Sequence, residues 1–186
     1  MNEQRLIIKK IRPKKIIIRL NKITNIPDVR ANEDKLLAVM QKIAKEKDIS
    51  FHVDIKGNFI NEADNKRKLS FAGSTYGFCV KLDEVKKKEV FDEATAKETN
   101  RLTDITQFKP IFDDVYPLYW GKDKSLGSRL SQHLNKYAKN GAVKLCRYTS
   151  LHGKSISYAV SINDDSKLLE KKLQESYPPL LKTMQE

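Results

Sequence analysis

The stretch "LYWGKDKSLGSRLSQHL", residues 118–134, joins an aromatic strand end to a basic helix. Pro110 and Asp113-Asp114 mark a loop, and a strand is expected after it over residues 115–120. After the polar turn, Ser125 is placed to cap a helix that runs from 126 to about 139. The buried face of this helix would consist of Leu126, Leu130, Leu134 and Tyr137, with Asn140-Gly141 at its end.

Four reactive side chains are concentrated in this short stretch. Arg129 and His133 are four residues apart, so on a helix they lie on one face. Tyr119 and Lys122 belong to the strand end just before that helix, and Gly121 between them permits a sharp exit and a close approach by another backbone. Arginine offers bidentate contacts to phosphate, and histidine moves protons near neutral pH. These four side chains are therefore suited to act on a phosphodiester.

The sequence around this stretch predicts an α+β fold. Helical spacing and strand alternation are interleaved along the chain, which favours a small mixed, mostly antiparallel sheet flanked by helices. Helices are expected at 33–47, capped by Asn32, at 83–102, and from about 164 to Pro178-Pro179. Strands are expected within 5–20, at 51–55 before a turn at Lys56-Gly57-Asn58, and at 69–82. A hairpin is expected at 142–162.

The charge of the chain favours a polyanionic partner. The sequence has 36 Lys and Arg against 24 Asp and Glu, a formal net charge of +12. Residues 1–68 are predicted to form a basic extension packed on or beside a main domain at 69–186. The basic residues near the start alternate with isoleucine pairs, which argues against a helix lying on a membrane surface. The predicted nucleic-acid contacts are Lys9, Lys10, Arg12, Lys14, Lys15, Lys124, His152 and Lys154.

Neither cysteine usage nor hydropathy indicates secretion or a membrane. Cys79 and Cys146 lie far apart in strand-like runs and are expected to be buried thiols. No apolar run approaches the roughly 20 residues that cross a bilayer. We therefore expect a cytoplasmic protein.

The same residues resemble a known motif. Tyr119-Trp120-Gly121-Lys122, followed by Arg129 and His133, is similar to the second half of the GIY-YIG nuclease signature, in which a Tyr-Ile-Gly-Lys strand end leads to a helix with Arg and, four residues on, Tyr or His. The first half-motif is a strand that carries a tyrosine and pairs beside the strand of the second half-motif. "STYGFCV" supplies Tyr76, with Ser74-Thr75 in place of Gly-Ile. The late helix "LLEKKLQESYPPL" supplies Glu170, and the resemblance covers about 69–182.

The resemblance implies a one-metal hydrolysis. Glu170 would bind a single Mg²⁺, with Mn²⁺ as an alternative, and Arg129 would hold the scissile phosphate. Tyr76, helped by Tyr119 or His133, would orient or deprotonate the attacking water, and Lys122 would contact phosphate. The sequence leaves open whether Tyr76 or His133 takes the proton.

Two departures from the family pattern stand out. Tyr76 and Tyr119 are 43 positions apart, so 83–114 must be an insertion, and the asparagine that often follows the late proline is missing near Lys182. The leading hypothesis is a metal-dependent endonuclease for double-stranded DNA, of restriction or defence type, acting as a monomer or homodimer. The alternative is a non-catalytic basic nucleic-acid-binding protein on a degenerate nuclease fold. An RNA-binding ribosome-associated factor fits the charge but not the motif order.

Overall fold

The computed structural model describes residues 27–60, 74–123, 132–133 and 141–183. These residues form an α+β fold, as predicted. Its helices and strands, in chain order, are α1 Pro27–Glu46, β1 Phe51–Ile60, β2 Ser74–Lys81, α2 Glu84–Ala96, β3 Val115–Asp123, β4 Ser155–Asn163 and α3 Ser166–Ser176. None of the described helices has the length and apolar character needed to cross a membrane.

The four strands form one sheet in the order β1-β4-β2-β3, and the described pairings are all antiparallel rather than mixed. The strand β2 is central, with Tyr76 opposite Gly121 on β3 and opposite Val160 on β4. The two predicted half-motifs are therefore neighbouring strands, despite the 43 positions between their tyrosines.

The sheet separates two apolar clusters. On one face, Tyr76 and Tyr119 pack with α2, with residues 143–151 and with Leu180. On the other face, Trp120 packs with α1 and α3. A Cβ at Gly77 would lie 2.2 Å from the Trp120 ring, so the glycine allows this large side chain to lie flat on the sheet. Both cysteines are buried free thiols, as predicted.

The helix α2 is shorter than its predicted range of 83–102. Asp83 caps its start by accepting a hydrogen bond from the Lys86 amide at 2.7 Å, but the helix ends at Ala96. The next residues pair with the C-terminal segment instead, since the Arg101 amide donates to the Leu180 carbonyl at 2.7 Å. The predicted insertion thus packs on the core and leaves β2 and β3 adjacent.

The predicted hairpin at 142–162 is wrong in its first half. Residues Leu145–Arg147 and Thr149–Leu151 form 3-10 turns, and only Ser155–Asn163 is a strand. Lys144 has φ +56°, a left-handed conformation that interrupts an extended chain. Apolar residues of this segment are buried on the sheet without strand alternation.

Several predicted boundaries also move. The helix α1 begins at Pro27, so Asn32 lies inside the helix and does not cap it. The predicted turn at 56–58 is part of β1, because β4 pairs along the whole length of that strand. The strand β3 continues past residue 120 to Asp123, so Gly121 is not at a chain exit.

Some predictions lie outside the described residues. These are the strands within 5–20, the boundary near 68, and the helix 126–139 except for residues 132–133, which are helical. The strand β1 and the helix α1 belong to the same sheet and core as the later elements. The separation into 1–68 and 69–186 stays a prediction.

Candidate functional site

Two tyrosines and a histidine form a buried cluster on one face of β2 and β3. Tyr76 Oη and His133 Nε2 are hydrogen bonded at 2.6 Å, although the two residues are 57 positions apart. The Tyr119 ring lies 4.7 Å from the His133 ring and 6.3 Å from the Tyr76 ring, between ring centroids. The structure thus brings together three of the residues that the resemblance assigns to catalysis.

The hydrogen bonds of His133 fix where its proton lies. The Val143 amide donates to Nδ1 at 2.9 Å, so Nδ1 carries no hydrogen. A neutral ring must then carry its hydrogen on Nε2, and Nε2–H donates to Tyr76 Oη. In this state His133 cannot accept a proton from Tyr76. The histidine is therefore a donor to the phenol oxygen.

The lack of a side chain at Gly121 makes room for the two tyrosines. A Cβ there would lie 2.6 Å from Tyr76 Oη and 2.7 Å from Tyr119 Cε1, well inside van der Waals contact. The Tyr76 phenol therefore lies over Gly121, directly above the β3 backbone. The motif glycine serves ring packing within a strand, and the predicted sharp exit is not observed at this position.

Lys122 and Glu170 form an ion pair on the opposite side of the same strands. The Lys122 ammonium donates to Glu170 Oε2, and Gln174 donates to Oε1 at 3.3 Å. Successive side chains of a strand point to opposite faces, so Lys122 is on the other side from Gly121. The helix α3, which carries Glu170, packs on the face that holds Trp120. Lys122 is the residue after Gly121, the strand partner of Tyr76, but the Lys122–Glu170 pair is not part of the tyrosine cluster.

Exposure differs sharply between these two groups. Tyr76 is 1% exposed, His133 0% and Tyr119 8%, whereas the Lys122 side chain is 44% exposed. A bound phosphodiester can touch Lys122 in this conformation. It can touch Tyr76 Oη only in a conformation that is more open than this one.

The predicted residues in the loop before β4 do not join this site. His152 donates from Nε2 to the Cys146 carbonyl at 2.8 Å and so stabilises its own loop. Lys154 directly precedes β4, whereas the strand partner of Tyr76 is Val160, about 20 Å of strand further along. The remaining predicted residues, Arg129 and the nucleic-acid contacts Lys9, Lys10, Arg12, Lys14, Lys15 and Lys124, lie outside the described residues.

The site also contains residues that sequence reasoning missed. Val143 acts through its backbone amide, which no side-chain motif reveals. Asp123 is buried and lies two residues after Gly121, on the same side of β3. Ser74 lies opposite it on β2 and is fully buried. Strand alternation through residues 119, 121 and 123 is the signal that would have found Asp123.

The donor groups suit a hard cation. Glu170 offers a carboxylate on one face of the sheet. On the other face Asp123 offers a carboxylate, and Ser74 Oγ is a buried oxygen without a hydrogen-bond partner in the described part of the chain. Among the described residues, no three His, Cys, Asp or Glu side chains converge as a metal cluster. A cation here would complete its coordination with water and phosphate oxygens, as Mg²⁺ commonly does.

No family model, curated protein or solved structure matches the sequence.

Proposed function

We propose that this chain is a metal-dependent DNA endonuclease of the GIY-YIG type, used in restriction or defence. The observation that carries the proposal is the bond of 2.6 Å between Tyr76 Oη and His133 Nε2, above Gly121. Tyr76 and His133 lie 57 positions apart in the chain, and the sequence resemblance assigns both to one catalytic group.

The hydrogen-bond directions support Tyr76 as the proton acceptor. Because His133 donates to Tyr76 Oη, that bond stabilises negative charge on the phenol oxygen. Tyr76 first loses its phenol proton to solvent, and as a phenolate it then takes a proton from the attacking water, while His133 and the Tyr119 ring hold it in place. His133 is a positioning residue in this scheme and does not act as the base.

The phosphate would be held by cations at the strand end. Lys122 is half exposed and points to solvent beside Glu170, and Arg129 is the proposed contact to the scissile phosphate. Glu170 is the proposed ligand for Mg²⁺, with Mn²⁺ as a substitute. When bound, this metal would polarise the phosphate and stabilise the leaving oxygen. Phosphate binding next to Lys122 would compete with Glu170 for the ammonium and so free the carboxylate.

The charge of the chain supports DNA as the substrate. With a net charge of +12, the protein attracts a polyanion strongly at low salt. Double-stranded DNA is the proposed partner, bound by a monomer or a homodimer. A cytoplasmic location is part of the same proposal.

The alternative is a DNA-binding protein without catalysis, and one observation favours it. Tyr76 and His133 are both almost fully buried, and Glu170 is already held by Lys122 and Gln174. If the protein has no more open conformation, Tyr76 and His133 are only core residues, and Glu170 only forms a surface ion pair with Lys122. Such a protein would bind DNA with a steep dependence on salt and leave it uncut.

Plasmid cleavage separates the two functions. The wild-type chain should nick or linearise plasmid DNA with Mg²⁺ and leave it intact with EDTA. Arg129→Ala should lose at least about 100-fold of this activity, the scale for removing a charge-stabilising group. Arg147→Ala, at an exposed arginine in the Leu145–Arg147 turn, is the matched control and should cut normally. Tight DNA binding without cutting by the wild type would favour the alternative.

A further inference from the structure

Two polar residues at the end of the tyrosine face remain outside the proposed catalytic scheme. Ser74 on β2 pairs with Asp123 on β3, and both are buried, with 0% and 8% exposure. Within the part of the chain that the structure describes, Ser74 Oγ has no hydrogen-bond partner. Burying a hydroxyl without a hydrogen-bond partner destabilises the fold, so Ser74 Oγ is a candidate contact for a ligand.

Strand geometry puts this pair beside the Tyr76 phenol. Gly121 and Asp123 lie on the same face of β3, about 7 Å apart along the strand. The Tyr76 phenol lies over Gly121, and Ser74 is the next residue on the same face of β2. Exposure agrees with this alternation, because Lys122 is exposed between two buried neighbours. Asp123 is therefore a carboxylate on the tyrosine side of the sheet, whereas Glu170 is on the other side.

We propose that Asp123 and Ser74 bind a divalent cation on the Tyr76 face of the sheet. This cation is distinct from the one proposed at Glu170, and the inference rests on the proposed function only in that the cation serves DNA cleavage. The donor set is one carboxylate and one hydroxyl, which are hard oxygen ligands. Mg²⁺ typically takes one or two protein oxygens and keeps several waters, so a site with few protein ligands suits it.

A site beside Tyr76 places positive charge next to the oxygen on which negative charge develops. Glu170, across the sheet, is bonded to Lys122 and Gln174 and is separated from Tyr76 by the strands themselves. Asp123 and Tyr76 can therefore act on one phosphate from the same side.

Manganese binding by the full chain tests this site directly. Mn²⁺ is titrated into the wild type, Asp123→Asn and Glu170→Gln, alone and with a DNA duplex, and free Mn²⁺ is followed by electron paramagnetic resonance. Asp123→Asn should weaken Mn²⁺ binding at this site at least about tenfold, the scale for losing a metal-site contact, whereas Glu170→Gln should leave the affinity of this site unchanged. Asp92→Asn, at an exposed residue on α2, should bind as the wild type does. Wild-type affinity in Asp123→Asn, or no Mn²⁺ binding by the wild type, would overturn the proposal.

A second variant keeps the test independent of folding defects. Ser74→Cys adds a soft thiol, so Cd²⁺ should give a new thiolate charge-transfer band in the ultraviolet that the wild type lacks. Absence of that band would remove Ser74 from the site.

The outcomes also separate this inference from the nuclease proposal. A chain that binds Mn²⁺ through Asp123 but cuts no DNA overturns only the nuclease. A chain that cuts DNA with Asp123→Asn as active as the wild type overturns only the site.

Discussion

Tyr76 and His133 lie 57 positions apart, and their side chains are joined by a hydrogen bond of 2.6 Å. The direction of that bond follows from a third group, because the Val143 amide donates to the other ring nitrogen of His133. The histidine therefore donates to the phenol oxygen. This relationship connects the central strand of the sheet to the helical residues 132–133.

The donor role of His133 predicts different results for two substitutions. His133→Gln keeps an N–H group that can reach Tyr76 Oη and should retain cleavage to within about tenfold, whereas His133→Leu should lose about 100-fold or more. Single-turnover cleavage rates measure both. Thermal melting of the two variants controls for folding. Equal inactivity of folded Gln and Leu variants would mean that His133 itself carries the proton.

Gly121→Ala should disrupt the site and the fold together. Its Cβ would lie within 3.0 Å of both tyrosine rings, and such overpacking costs about 1–3 kcal/mol. Urea unfolding and plasmid cleavage should both show a loss. Gly153→Ala is the control, because Gly153 has φ +73° and no atom within 4 Å of an added Cβ. Backbone strain of roughly 1–2 kcal/mol should destabilise that variant without lowering its activity per folded molecule.

Glu170→Gln should abolish metal-dependent cleavage if Glu170 binds the cation. Its matched control is Glu175→Gln on the same helix, where the carboxylate forms only exposed ion pairs with Lys171 and Lys172. Cleavage rates are measured over a range of Mg²⁺ concentrations. If the substitution only weakens metal binding, more Mg²⁺ restores cleavage; if the carboxylate itself is required, more Mg²⁺ does not. Normal cleavage by Glu170→Gln would assign the carboxylate to holding Lys122 alone.

Glu93 should make stability depend on pH. Burial raises its pKa, but hydrogen bonds from Ser150 and Thr149, at 2.5–3.1 Å, outweigh burial and hold the pKa below the usual 4.5. A lowered carboxyl pKa stabilises the fold above the unfolded-state pKa, and this stability is lost as pH falls through the folded-state pKa.

Melting temperatures at neutral and acid pH test this expectation. Glu93→Gln should melt lower than the wild type at pH 7, and the difference should shrink below about pH 4.3. Glu89→Gln, which removes an exposed ion pair with Lys86, should change the melting temperature little at either pH. A difference for Glu93→Gln that does not depend on pH would mean that the carboxylate charge is not what the loop binds.

Sequence patterns predicted the fold where local composition and capping residues agree with the tertiary structure. The aromatic and β-branched content of "LSFAGSTYGFCVKL" and the capping residues before α3 predicted elements close to those observed. The hairpin at 142–162 failed because its first half is buried without pairing, and the left-handed Lys144 is not visible in an apolar pattern. The turn at 56–58 failed because pairing with β4 overrides the local preference of glycine.

The side chains of the candidate site were predictable from the sequence, but the groups that pack and bond to them were not. Tyr76, Tyr119 and His133 carry a recognisable spacing, so a motif finds them. The Val143 amide and the buried Ser74 enter through tertiary packing, which spacing does not encode. The position of Glu170 across the sheet also follows from which face α3 covers, and the sequence gives no signal for that choice.

The central claim is that the Tyr76 phenol oxygen takes part in cutting DNA. Tyr148→Phe is a matched control, because Tyr148 is equally buried and donates to Thr99 Oγ1 at 2.8 Å, away from the cluster. Burial raises the pKa of Tyr148 to about 12, so it stays neutral under assay conditions. The measurement is plasmid cleavage with Mg²⁺ by wild type, Tyr76→Phe and Tyr148→Phe. We expect Tyr76→Phe to lose at least about 100-fold while Tyr148→Phe cuts normally; equal cleavage by all three would contradict the claim.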